Sequence, residues 1–226
     1  HLKHAWVPGS EFSRGQPEQG ADLANELEQM VLLHGAENIA AVIVEPVAGS
    51  GGVWIPPKNY LQRLRQLTEQ HDILLIFDEV ITGFGRIGEA FAAQRFGVTP
   101  DIMTTAKGLT NGAIPMGAVF VNNFIHDAFM NGPEEVIELF HGYTYSGHPV
   151  AAAASLATLD IYERENLFQK AIELESYWAD ALHSLAEFDV VKDIRNIGLV
   201  GAVEFTPGDK VGARGYNAFQ HCFWKE

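Results

Sequence analysis

Three short apolar runs each end in one ionisable side chain: 39–44 before Glu45, 73–77 before Asp78, and 102–106 before Lys107. Each has the length of a buried strand, and Leu, Ile and Val dominate the first two. In an open parallel sheet, ligands bind in the crevice outside the carboxyl ends of the strands. Two carboxylates and one amine would then line one edge of one sheet. A charge buried that deep persists only when paired. Lys107 follows Asp78 by 29 residues, room for one helix and one strand. A right-handed crossover of that size sets Lys107 on the neighbouring parallel strand. An amine on a flexible stem, desolvated at such an edge, is suited to a Schiff base.

Other readings of the same residues stay open on chemistry alone. Asp78-Glu79 after four apolar residues also describes the magnesium-holding strand of a P-loop ATPase. That enzyme needs a Gly-x-x-x-x-Gly-Lys-Ser/Thr loop, and the chain has no Gly-Lys pair. An Asp that merely caps a strand-to-helix turn is the bland alternative, as a solvated surface lysine is for Lys107. Gly49-Ser50-Gly51-Gly52 invites a dinucleotide-binding reading, but Trp54 stands where the fingerprint wants glycine, and Pro56-Pro57 follow. The nine histidines form no His-Glu-x-x-His arrangement, which argues against a metal site. His141 and His148 flank a turn and suit local hydrogen bonding. Arg86 is undecided between a surface charge and a contact to an acidic partner.

The elements that position these residues follow from periodicity. Residues 1–20 read as an irregular lead-in broken by Pro8, Gly9, Gly15, Pro17 and Gly20. Leu23, Leu27, Met30 and Val31 recur at helical spacing up to a stop at Gly35. A second helix is expected from Pro57, with Leu61, Leu64 and Leu67 on its buried face. A short helix at 89–96, the strand to Lys107 and a further strand at 117–121 complete an alternation typical of a parallel α/β sheet. Helices at 150–164 and 167–188 come next, then paired strands at 190–194 and 199–205. A domain boundary is placed near residue 165, giving units of 1–165 and 166–226. Residues 219–226 have helical character.

Composition narrows the class. The chain has 226 residues, 47% hydrophobic and 19% charged, enough for a substantial core. A formal net charge of −14 argues against a nucleic-acid or anionic-membrane partner. The single cysteine, Cys222, has no internal disulfide partner, which points to the reducing cytoplasm. No apolar stretch approaches the roughly 20 residues of a membrane span. The opening His-Leu-Lys-His, without Met, reads as a start inside a longer protein.

Asp78-Glu79-Val80-Ile81-Thr82-Gly83-Phe84-Gly85-Arg86, followed by Ala106-Lys107-Gly108, resembles the signature of the class III aminotransferases, which depend on pyridoxal 5′-phosphate (PLP). Val42-Ile43-Val44-Glu45-Pro46 and the stretch from His141 to Pro149 resemble two further family segments in the right order. Within the class, 107–117 and 142–149 are most similar to the omega-amino acid:pyruvate (β-alanine:pyruvate) enzymes.

The resemblance implies an α/β protein of PLP fold type I: a mostly parallel sheet flanked by helices, then the start of a small α+β domain. It implies that Lys107 holds PLP and moves the proton, that Asp78 pairs with the pyridine nitrogen, and that Val80 packs on the ring. Thr144 would reach the cofactor phosphate of a neighbouring subunit, so the site would need a homodimer. Glu45 is either a carboxylate orienting the Asp78 region or a structural cap. Ser50 stands where ornithine- and 4-aminobutyrate-processing relatives carry a gate glutamate, which favours an amine donor with pyruvate as the keto-acid acceptor. An aminomutase or a decarboxylating aminotransferase would share Asp78 and Lys107. Family members run to roughly twice this length, so the chain by itself is expected to bind PLP weakly and not turn over. As it stands it is otherwise a noncatalytic remnant or an interaction module.

Overall fold

The computed structural model describes residues 1–206. The helical stretch expected at 219–226 and Cys222 lie outside the described residues. A 3-10 turn, Ala21–Asn25, leads into helix α1, Glu26–His34, which stops at Gly35. Strand β1, Ala41–Val44, follows. Helix α2 spans Tyr60–Gln70 and buries Tyr60, Leu61, Leu64 and Leu67, the 3- and 4-residue spacing that puts one face on a core. A fully buried Leu contributes about 1.5–3 kcal/mol, so this face anchors the helix. It starts at Tyr60 rather than Pro57, because Asn59 adopts the left-handed conformation (φ 65°) and breaks the chain there.

Strand β2, Leu74–Asp78, sends Leu75 and Phe77 into the same core as the α2 leucines. Helix α3, Ala92–Phe96, is shorter than expected and leads to strand β3, Ile102–Thr105. Strand β4 is Ala118–Val121. The sheet order is β1-β2-β3-β4, with β1, β2 and β3 parallel. β4 runs antiparallel to β3, so the sheet is mostly parallel, as the resemblance implies. The link between them holds a 3-10 turn, Lys107–Thr110, but no crossover helix, so the chain can only turn back. Helix α4, Asn123–Met130, was not expected; its apolar residues Phe124, Phe129 and Met130 are exposed rather than packed on the core.

Helix α5, Pro149–Arg164, has proline at its first turn and is capped by His148, whose Nδ1 accepts from Val150 N at 3.2 Å. Helix α6, Leu167–His183, continues into a 3-10 turn, Ser184–Glu187. Strands β5, Val191–Ile197, and β6, Val200–Phe205, form an antiparallel hairpin through Gly198 (φ 53°). β5 runs past Ile194, where its hydropathy falls. Asp193, Arg195 and Asn196 are all buried there because each finds a partner. The irregular lead-in lies along this hairpin: Phe12 N donates to Asp193 Oδ1 at 2.6 Å and Gly15 N to the Asn196 carbonyl at 2.8 Å.

Among the described residues, no helix is long and apolar enough to cross a membrane.

Candidate active site

Asp78 is the last residue of β2, and its Cα partner on the parallel neighbour β3 is Thr104. Lys107 comes three residues further along, immediately beyond the carboxyl end of β3. The two therefore emerge at one sheet edge from adjoining strands. Asp101 marks the opposite edge: its carboxylate accepts from Leu75 N and from Arg65 Nη1, both at 2.8 Å. That charge is consumed in holding the sheet together. Asp78 differs. Its Oδ1 accepts from Val80 N at 3.0 Å, while Oδ2 makes no hydrogen bond among the described residues.

Lys107 is exposed and has a positive φ of 44°. Left-handed conformations of non-glycine residues are uncommon and cluster at functional sites. Its surroundings over-determine it. A Cβ on Gly108 would stand 2.8 Å from Phe84 Cβ, so only glycine lets the turn after β2 close onto the lysine segment. From the other side, Tyr162 of α5 donates its hydroxyl to the Gly108 carbonyl at 2.7 Å. Burial raises the Tyr162 pKa, with the Arg86 charge opposing, so this phenol keeps its proton and stays a donor. Phe84 stacks near the Tyr162 ring at 6.3 Å.

The turn itself is held by Glu79. Its fully buried carboxylate accepts from Thr82 Oγ1 at 2.8 Å, Ala92 N at 2.7 Å and Ala93 N at 2.8 Å. Both ends of residues 79–92 are thereby tied to one side chain. Desolvation raises the Glu79 pKa, and the three hydrogen bonds only partly offset it. The folded chain thus holds this proton more tightly than the unfolded one. Its stabilisation is complete below the ordinary carboxylate value of 4.5 and is lost as pH rises through the raised value. Glu79→Gln sets an amide N–H against one backbone donor, so it is expected to cost about 1–3 kcal/mol. Thermal unfolding of the full-length protein should show a lower Tm and a flatter pH dependence across the acid range.

The remaining sequence-derived residues are more dispersed. Val80 sits in the turn directly after Asp78, half-buried. Glu45 is exposed beyond β1, and its Oε2 accepts from Gly49 N at 2.9 Å, which caps its own loop. Thr144 lies in an exposed turn where Ser146 N donates to the Tyr143 carbonyl at 2.9 Å. Arg86 is exposed, and its carbonyl accepts from Leu199 N at 3.0 Å. The Gly49–Gly52 stretch closes as a tight turn through paired Ala48–Trp54 hydrogen bonds and opens no helix, which removes the dinucleotide-binding reading. Among the described residues, no group of three or more His, Cys, Asp or Glu is gathered as a metal site.

Sequence reasoning missed Tyr162 and gave Glu79 no role of its own. Tyr162 lies 54 residues from the carbonyl it holds, and no local pattern encodes that contact. Glu79 carried a signal, being a charge inside an apolar-and-glycine stretch that would have to be paired if buried.

The family description Aminotransferase class-III matches residues 3–222. The chain is 59% identical over 225 residues to an omega-aminotransferase of Caulobacter vibrioides, spanning 99% of this chain and 51% of that protein. It is 56% identical over 212 residues to a beta-alanine–pyruvate aminotransferase of Pseudomonas aeruginosa, 92% of this chain and 47% of that one. Among solved structures, a PLP-bound amine transaminase from an uncultivated Pseudomonas species superposes with a TM-score of 0.78 at 45% identity, over 84% of this chain and 43% of the other. The chain therefore belongs to the class III aminotransferase family, with the fold of its transaminases. It spans about half the length of the curated relatives it matches.

Proposed function

We propose that the protein carrying this chain transfers an amino group from an omega-amino acid or amine, such as β-alanine, to pyruvate, with PLP held on Lys107. The observation that carries this is the emergence of Asp78 and Lys107 from adjoining parallel strand ends. The donor set fits the cofactor: an accessible amine for its aldehyde, and a carboxylate with one oxygen left over for its ring nitrogen. When bound, PLP supplies an electron sink for the pair left by a broken C–H bond.

The chain's own residues do the rest. Asp78 would pair with the ring nitrogen and favour its protonated form. Lys107 would hold the cofactor through its Nζ, and the same amine would serve as the base that takes the proton from the amine-bearing carbon of the donor and gives it back. Val80 supplies an apolar contact beside the ring. We further read Thr144 as a contact to the neighbouring subunit's cofactor phosphate in a homodimer, and its exposed turn suits that role. Glu45 serves this site indirectly, by fixing the loop that starts at Gly49. Residues 1–165 would be the second half of the cofactor domain, 166–226 the start of the small domain, and the compartment the cytoplasm.

The relatives named for pyruvate and the serine at position 50 support pyruvate as acceptor. Full-length protein supplied with β-alanine and pyruvate should form alanine, and 2-oxoglutarate should serve poorly in its place. Amino-acid analysis of parallel reactions decides it. A clear preference for 2-oxoglutarate would overturn the acceptor assignment, and no product with either acceptor would overturn the reaction.

A further inference from the structure

The loop after β1, residues 48–54, stands at the same sheet edge as Asp78 and Lys107. It is pressed against the Asp78 turn: a Cβ on Gly49 would lie 2.5 Å from Ile81 Cδ1. Its tip is strained. Gly52 has φ 125°, and Val53, a β-branched residue, has φ 56°. Such a conformation persists only when its surroundings hold it.

The holding group comes from far along the chain. Arg195 of β5 donates from Nε to the Gly52 carbonyl at 3.0 Å, and its guanidinium lies 4.5 Å from the centre of the Trp54 ring. The other side of the fork is fixed by Asp193 and by Glu204 at 3.1 Å. Glu204 also takes Lys192 at 2.6 Å, so the group is balanced in charge. Arg195 is 7% exposed and Asp193 3%. Buried ion pairs gain little stability over apolar packing, because desolvation cancels most of the attraction. What this one does supply is a rigid planar donor aimed at one carbonyl.

We propose that Arg195 is a positioning residue that sets the shape of loop 48–54, and with it the placement of Ser50 at the sheet edge that carries Asp78 and Lys107. The effect on substrate rests on the transaminase reading above, while the effect on the loop does not. Arg195→Lys keeps a cation for Asp193 but loses the Nε bond and the guanidinium contact on the Trp54 ring. Trp54→Leu removes the Arg195 contact from the loop side, together with the ring contacts of Trp54 to His4 and Trp6, and leaves the buried acids paired.

In full-length protein, each variant should raise KM for β-alanine about tenfold or more, since small misplacements remote from the chemistry can cost up to about a hundredfold. Each should leave kcat, cofactor absorbance and Tm near those of the parent. The double variant should add little to either single one, because both break the same contact. Amide exchange at 49–53 should quicken in both, while β1 and β2 stay protected. Unchanged exchange in the loop would overturn the proposal whatever the enzyme's activity. A lower Tm with unchanged KM would also overturn it, reducing Arg195 to a structural tie. Faster loop exchange in a protein that performs no transamination would sustain the positioning role and overturn the functional reading alone.

Discussion

Lys107→Ala should end the proposed transamination in the full-length protein, with a loss beyond the ~10²–10⁴-fold that a single acid–base group supplies. The excess is expected because, on the proposed function, the same amine does two jobs, holding the cofactor and moving the proton. The fold should survive. Lys107 is exposed and makes no ion pair among the described residues, so its side chain supports nothing else. Alanine also adopts the positive φ with no more strain than lysine. Borohydride reduction of the parent protein, followed by peptide mass spectrometry, should find the phosphopyridoxyl group on Lys107. Lys58 pairs with Glu18 at 2.5 Å and Lys192 with Glu204 at 2.6 Å, whereas Lys107 has no such partner among the described residues. A label on Lys58 or Lys170, or a variant that keeps turning over, would remove Lys107 from the reaction.

The same lysine marks how far the sequence could be read. Strand ends carrying Asp78 and Lys107 were legible because buried parallel strands leave short apolar runs, and the first charge after each run marks the edge. The hairpin 191–205 was only half legible. Hydropathy stops at Ile194, whereas the strand continues through Arg195 and Asn196 because their polar groups are satisfied across the chain. The direction of β4 was illegible from its own residues and became readable only from the length and content of the link before it. The clamp on Lys107 could not be read at all. Phe84, Gly108 and Tyr162 come from three distant segments, and only the folded chain shows why residue 108 must be glycine. In physical terms, local periodicity encodes which face is buried. It does not encode which remote group satisfies a buried donor or fills a space where a Cβ would stand.

Asp78→Asn should cost several orders of magnitude in kcat, each tenfold corresponding to about 1.4 kcal/mol of barrier. The substitution is close to a pure charge test. The Asn carbonyl oxygen can accept from Val80 N as Asp78 Oδ1 does at 3.0 Å, so the turn after β2 and the Glu79 ties should stay in place. Lys107 also stays, so the cofactor can still be held covalently. On the proposed pairing, what disappears is the group facing the ring nitrogen, and with it the driving force for taking up the electron pair when the donor loses its proton. Single-turnover kinetics with β-alanine should therefore show slow proton removal, while borohydride labelling of Lys107 and Tm remain near those of the parent. Two results would count against the pairing. Rates close to the parent's would mean that another group protonates the ring. A large fall in Tm with normal rates in the surviving fraction would mean that Asp78 serves the β2 turn rather than the cofactor.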